Sequence, residues 1–372
     1  MRSSRFGGKW ADMARIEVVE TADPASLSSF DVIIDVRSPG EFAEDHLPGA
    51  ISLPVLSDAE RAEVGTIYVQ DSPFRANRIG AAYVARNIAR HLEGALADQP
   101  AAFRPLVYCW RGGQRSNSMA TILSRVGWRT GVLSGGYRTY RRFVQARLYD
   151  QGWPLRLILL DGDTGSGKTE ILHRLPGRGV QILDLEDLAG HRGSLFGGLA
   201  GRPQPSQKRF ESRLLQAMAA LDPARPVAVE AESSRIGDLM VPPALWRLMQ
   251  TAPRIELAAP RAERARYLVA AYGDIIADKA ALETAFRRLP VYPAQHRLEN
   301  WRRLAEAGDF ETLAEALMEL HYDPAYARSR RKIGREPLAR IELERLDPPS
   351  QAAAAEQIAG LAGAPSASLN SY

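Results

Sequence analysis

Two short stretches carry residues whose types and spacing could do chemistry. The first is "YCWRGGQRS", Tyr108 to Ser116, which holds the only cysteine among 372 residues. The apolar run "PLVY" leads into Cys109, and Trp110, Arg111, Gly112, Gly113, Gln114, Arg115 and Ser116 follow it. A strand ending in cysteine, then a glycine turn, then a helix start, is an arrangement for holding an anion. Glycines let successive backbone N–H groups converge on one point, and the positive end of the helix dipole adds to the field there. Arg111 and Arg115 add full charges, and Arg115 can grip two oxygens of a tetrahedral anion at once. The same field favours thiolate over thiol at Cys109. A thiolate under such a cradle can attack, or be attacked by, a small anion carrying transferable sulfur, selenium or phosphorus.

The second stretch is "GDTGSGKT": Gly162, Asp163, Thr164, Gly165, Ser166, Gly167, Lys168 and Thr169. It fits G-x-x-x-x-G-K-[ST], the phosphate-binding P-loop, and lies between the strand-like "LRLILLD" and a helical run. Its amides can cradle a diphosphate, Lys168 can neutralise the terminal phosphate and Thr169 can hold Mg²⁺. Asp163 is unusual there, since it brings negative charge to a phosphate site. A further set of candidates surrounds this loop. Asp184 and Glu186 in "ILDLEDLAG", and Glu230 and Glu232 in "PVAVEAES", follow apolar runs. They fall at strand ends near the loop, or else are solvated loop carboxylates. His191 and Arg192 open "HRGSLFGG", a glycine-rich segment able to close over a ligand. No other metal-ligand set stands out, and no tightly bound cofactor is expected.

These residues need strands and helices to aim them. "DVIIDV" (Asp31 to Val36), "GAISLP", "RPLVYC" and "TGVLSGG" read as short strands, with helical periodicity around Ile79 to Leu96 and from Ser116 to Val126. "LRLILLDG", "VQILDL" and "RPVAVE" supply strands of a second unit. Strands alternating with helices predict two parallel α/β domains. The expected layout is a domain over 15–140, a helical connector over 141–153, a P-loop α/β domain over 154–260, a helical basic region over 261–348 and a flexible Ala- and Ser-rich tail over 349–372.

Composition is consistent with that layout. Hydrophobic residues make up 45% and charged residues 25% of the chain, ordinary for a soluble globular protein. The apolar runs are too short and too charged to cross a membrane. The basic start, "MRSSRFGGKWADMARIEVVE", lacks the apolar core of an export signal, so a cytoplasmic protein without a membrane partner is expected. One cysteine excludes an intrachain disulfide and a cysteine-based zinc site. The net charge of +4 permits a nucleic-acid partner without demanding one.

"DVRSPGEFAEDHLPGAISLP" (Asp35 to Pro54) and "YCWRGGQRS" resemble the signature and active-site loop of rhodanese domains. Five residues separate Cys109 from Arg115, where sulfurtransferase members have four. That spacing is similar to the rhodanese-fold phosphatases and implies a phosphate-sized ligand. The succession of this loop, "GDTGSGKT", "DLEDLAGHRGSLFG", "QPSQKRFES", "VEAESSRIGDLMVP" and "YDPAYARS" resembles the tRNA 2-selenouridine synthase family over about residues 15–332. The resemblance implies a rhodanese-like parallel-sheet domain followed by a P-loop NTPase-like domain. It also implies a reaction at wobble 2-thiouridine of tRNA. Geranyl diphosphate first S-geranylates the base, and selenophosphate then supplies selenium through a Cys109 perselenide. The P-loop would hold the prenyl diphosphate.

The tRNA surface is expected on the basic helices, at Arg261, Arg264, Arg266, Arg297, Arg302 and Arg303. The favoured part is "ARSRRKIGR", with Arg328, Arg330, Arg331, Lys332 and Arg335. Trp301, Tyr322 and Tyr326 are interleaved there and could stack unpaired bases. Two alternatives compete with the synthase reading. One is a rhodanese-fold phosphatase fused to a P-loop kinase, and the other is a non-catalytic P-loop RNA-binding sulfur carrier.

Overall fold

The computed structural model describes residues 16–192, 203–276, 282–284, 286 and 295–363. The chain divides into two compact units, residues 1–150 with 211–213, and residues 151–210 with 214–372.

The first unit is built on five parallel strands: β1 (Glu17–Val19), β2 (Val32–Asp35), β3 (Ala50–Ser52), β4 (Pro105–Tyr108) and β5 (Gly131–Leu133). Their order is β1-β5-β4-β2-β3, and Ile34 stands opposite both Val107 and Ile51. β4 is buried along its whole length, which is why "PLVY" is apolar without alternation. The core gathers Ile34, Val36 and Val107 from the strands with Met119 and Leu123 from the helix Gln114–Val126. The helix expected from Ile79 begins earlier, at Pro73, where the Ser72 hydroxyl accepts from the Arg75 amide. A helix over Asp58–Gln70 is not apparent in the sequence, because none of its side chains is buried and no apolar stripe marks it. In the segment expected as a helical connector over 141–153, the helix Tyr137–Gln145 continues through a wider turn, Ala146–Asp150, with Tyr140, Val144 and Leu148 buried.

The second unit contains β6 (Arg156–Gly162), β7 (Gln181–Leu183), β8 (Pro226–Glu230), β11 (Arg254–Ala258) and β12 (Ala339–Glu342). They form a parallel sheet of order β12-β11-β6-β8-β7. A separate antiparallel pair joins β9 (Arg235–Ile236) to β10 (Leu239–Met240). Two expectations fail here. The 261–348 segment is not helical throughout, because β12 completes the sheet beside β11. Nor is 349–372 a flexible tail over its length: Pro348–Gly363 is a helix that buries Gln351, Ala354, Ala355, Ile358 and Ala362. Those positions recur at helical spacing and form one stripe. Small side chains let it lie close against Ile171 and Leu172 of the P-loop helix and Leu175 just after it. Residues 364–372 lie outside the described part.

A helical cluster covers the remainder of this unit. Leu298, Trp301, Leu313, Leu317 and Tyr322 are buried together in it. Trp301 and Tyr322 are therefore core residues, and the expectation that they offer stacking faces to RNA is withdrawn.

Candidate functional site

β4 lies between β5 and β2, and it delivers Cys109 to the carboxyl edge of the sheet, where α/β sheets bind ligands. The helix that follows starts after Gly113. Cys109 is only 3% exposed. Two donors converge on its Sγ, the Gly113 N–H at 3.2 Å and the Ser116 hydroxyl at 3.2 Å. Both aim a proton at the sulfur. The loop is held from below, where the Tyr137 amide donates to the Cys109 carbonyl at 2.8 Å. Gly136 permits this approach, because a Cβ there would stand 2.2 Å from that carbonyl oxygen and its φ is +58°.

The arginines do not both face the cradle. Arg111 is exposed. Arg115 Nη1 lies 2.9 Å from Glu41 Oε2, and Arg61 meets the same oxygen at 3.0 Å. Burial pushes the Glu41 carboxyl up, but Arg115 and Arg61 outweigh it and hold the group below its ordinary value. The clamp expected of Arg115 is thus engaged at the rim.

Glu41 is a site residue that reading the loop alone missed, as are the groups beneath it. The buried Arg37 pairs with Asp35 at 2.6 Å and donates to the Asp45 carbonyl. Tyr108 donates to Asp35 at 2.6 Å. The Arg37 guanidinium also lies 4.0 Å from the Tyr137 ring, on which Trp110 packs. The signal was present in "DVRSPGEFAEDH", a buried-strand ending with five charged residues too close together to be solvent decoration.

In the second unit the P-loop joins β6 to the helix Lys168–Arg174. Asp161 anchors its start by accepting from the Gly162 amide at 2.7 Å while paired to the buried Arg254 at 2.5 Å. Gly165 passes directly under the helix Arg261–Ala271, where a Cβ would stand 2.8 Å from Leu268 Cγ. Lys168 Nζ donates to the carbonyls of Gly162 at 2.8 Å and Asp163 at 3.3 Å. Burial works against charge on Lys168, yet Tyr326, Glu232, Glu186 and Glu230 outweigh it and raise the amine above its ordinary value.

β8 is the direct neighbour of β6, so its terminal carboxylate reaches the loop. Thr169 donates to Glu230 Oε1 at 2.6 Å, and Glu186 Oε2 lies 3.2 Å from the same hydroxyl. Burial, then the charges of Glu230 and Glu232, push Glu186 up to about 9. Burial pushes Glu230 up to about 8, against the Thr169 hydrogen bond, and raises Glu232 as well. Glu230 Oε2 is buried without a hydrogen-bond partner among the described residues. Hard oxygen donors of this kind suit Mg²⁺, which takes one or two protein oxygens and completes its shell with phosphate and water. Thr169 and Glu230 are the residues that fit. Among the described residues no cluster of three His, Cys, Asp or Glu is arranged to hold an ion alone.

Other candidates separate. Asp184 caps the helix Leu185–Ala189 and pairs with His173 at 2.5 Å, a structural role. The Arg192 guanidinium lies 4.9 Å over the Tyr272 ring and lines the cleft with Glu186 and Glu232. The His191 amide donates to the Glu186 carbonyl. The rest of the "HRGSLFGG" segment, from residue 193, lies outside the described residues.

The basic region is mixed. Arg264 is buried, donates to the Thr164 carbonyl and pairs with Asp323 at 2.9 Å, so it braces the P-loop and is no part of a surface. Arg330 reaches into the loop and meets Asp163 at 2.7 Å, which gives that unusual acid its partner. Arg335 donates to the Thr251 carbonyl at the end of the helix Pro243–Thr251. Arg328 is exposed. The side chains of Arg331 and Lys332 lie outside the described set.

Comparison with known proteins matches residues 20–142 to the Rhodanese-like domain and residues 155–289 to the tRNA 2-selenouridine synthase AAA domain. Three relatives are each named tRNA 2-selenouridine synthase. The Nitrosomonas europaea protein is 36% identical over 62% of this chain and 61% of its own length. The Aeromonas salmonicida protein is 36% identical over 67% of each. The Hahella chejuensis protein is 34% identical over 78% of this chain and 71% of its own. The match therefore spans about three-fifths of the Nitrosomonas europaea relative.

Proposed function

Since this chain belongs to the tRNA 2-selenouridine synthase family, we propose that it replaces sulfur by selenium in a 2-thiouridine of tRNA. The P-loop binds geranyl diphosphate, and Lys168 stabilises the departing diphosphate. The base sulfur takes the geranyl group and becomes a leaving group. Mg²⁺, when bound at Thr169 and Glu230, would neutralise diphosphate charge. The exposed Arg328, with its sequence neighbours Arg331 and Lys332, holds the RNA backbone.

The selenium step has to balance. Selenium in selenophosphate is already at the selenide level. A Cys109 perselenide with release of phosphate would therefore require a two-electron oxidant that the reaction does not contain. Attack of the Cys109 thiolate on phosphorus balances without one. An S–P bond forms and the P–Se bond breaks, so that hydrogen selenide is freed beside the loop. Water then returns phosphate and the thiolate. Hydrogen selenide displaces geranylthiol at C2 of the base. The five-residue spacing before Arg115 and the amides of the loop suit a phosphoryl group in that position.

The observation that carries this reading is the sulfur of Cys109 held by two donors at a strand–helix junction in a chain that also has a P-loop. The test is mass spectrometry of tRNA nucleosides after incubation with selenophosphate, with and without geranyl diphosphate. Cys109→Ala should accumulate S-geranyl-2-thiouridine and be rescued by added hydrogen selenide, while Lys168→Ala should stop the first step. Cys109→Ala protein that forms 2-selenouridine from selenophosphate at the normal rate would refute the proposal.

A further inference from the structure

On the reading that the P-loop takes a prenyl diphosphate, we infer that the hydrocarbon tail lies in an apolar chamber between the helix Arg261–Ala271 and the helical cluster after residue 309. The chamber has a volume of about 80 Å³ and is walled by Leu268, Phe310, Leu313, Ala314, Leu317 and Met318. It is not remote from the phosphate loop. Thr164, Leu268 and Tyr272 line both the chamber and the P-loop cleft of about 240 Å³. Thr164 belongs to the loop itself, so a ligand whose diphosphate sits on the loop amides has its remaining atoms at the chamber mouth.

The lining says what those atoms are. A nucleoside brings ring nitrogens, an exocyclic amine and ribose hydroxyls, and each loses water on entry unless a partner replaces it. The chamber offers only Thr164, Tyr272 and Tyr322 as polar residues among twelve. Branched hydrocarbon has no such requirement and gains from every buried carbon. The loop supplies the anion site and the helices supply an oily one beside it, which matches a diphosphate ester of an isoprenoid alcohol better than a nucleoside diphosphate.

The test uses the full chain and equilibrium binding of inorganic diphosphate, dimethylallyl diphosphate and geranyl diphosphate. Burying one methylene tightens binding about fourfold, so even half-burial of the second isoprene unit should make geranyl diphosphate at least about tenfold tighter than the five-carbon ester. Ala314→Phe, which fills the chamber, should erase that step and leave inorganic diphosphate bound as before. Equal affinities for the two esters in the unaltered protein, or a step that survives Ala314→Phe, would overturn the inference while the P-loop assignment stood. If neither ester displaced inorganic diphosphate, the underlying reading of the loop would fall instead. The unaltered chain alone decides the first point, so the conclusion does not depend on the variant folding.

Discussion

Ser116→Ala isolates what the loop does to its sulfur. The Ser116 hydroxyl is fully buried and has one proton for two acceptors, Cys109 Sγ at 3.2 Å and the Gly113 carbonyl at 3.1 Å. When the sulfur is anionic it outcompetes the carbonyl, since hydrogen bonds to a charged group are the stronger kind. A hydrogen bond to a charged acceptor contributes about 1.5–3 kcal/mol. Measured from the neutral thiol, the attacking sulfur still carries roughly half of its negative charge at the transition state, so about half of that contribution is lost and the reaction should be about 4- to 15-fold slower. The single cysteine makes the assay clean: a small alkylating agent in excess, with intact-protein mass followed over time. Ser118→Ala, on the same helix but away from the sulfur, is the control. Wild-type alkylation rates in Ser116→Ala protein with an unchanged melting temperature would refute the claim that this hydroxyl stabilises the anion.

Three further expectations concern the second unit. Glu186 and Glu230 keep protons up to about 9 and about 8 in the folded chain, against 4.5 for the unconstrained group. The folded state thus binds more protons, so the contribution of these two groups is full below pH 4.5 and is lost as pH rises towards 8–9. Glu186→Gln should flatten that fall in denaturant titrations at pH 6, 7 and 8, and parallel curves would contradict it. Asp161→Asn leaves Arg254 buried without its counter-charge and should cost about 3–5 kcal/mol; calorimetry showing less than 1 kcal/mol would count against the pair. Ile358→Ala should destabilise the P-loop unit by about 2–5 kcal/mol, measured by chemical unfolding, whereas a flexible tail would give no change.

Sequence reading recovered the two α/β units and both loops because their signals are local: apolar runs that stop at glycines, and residue types at fixed spacing. It failed where the deciding contact is distant. Nothing near Arg115 announces Glu41, and nothing near Asp163 announces Arg330, because each pair closes only when separate elements fold together. Charge misled in the same way. Arg264 and Arg330 look like surface cations in a basic run, yet one is buried under the loop and the other faces it. The helix Pro348–Gly363 was hidden by its alanines, which score as weakly hydrophobic but pack well where two helices approach closely.

The place of β12 in the second sheet also bears on how that unit is assembled. Its partner β11 has β6 on one side and β12 on the other, and β12 is made only after the whole helical cluster has been synthesised. Until then β11 presents a bare row of amides and carbonyls, a template that another chain's strand could copy. Pairing that must wait for so distant a segment is slow to form. During biosynthesis the nascent second unit therefore passes through an interval of vulnerability to aggregation that ends only when residues 339–342 are made.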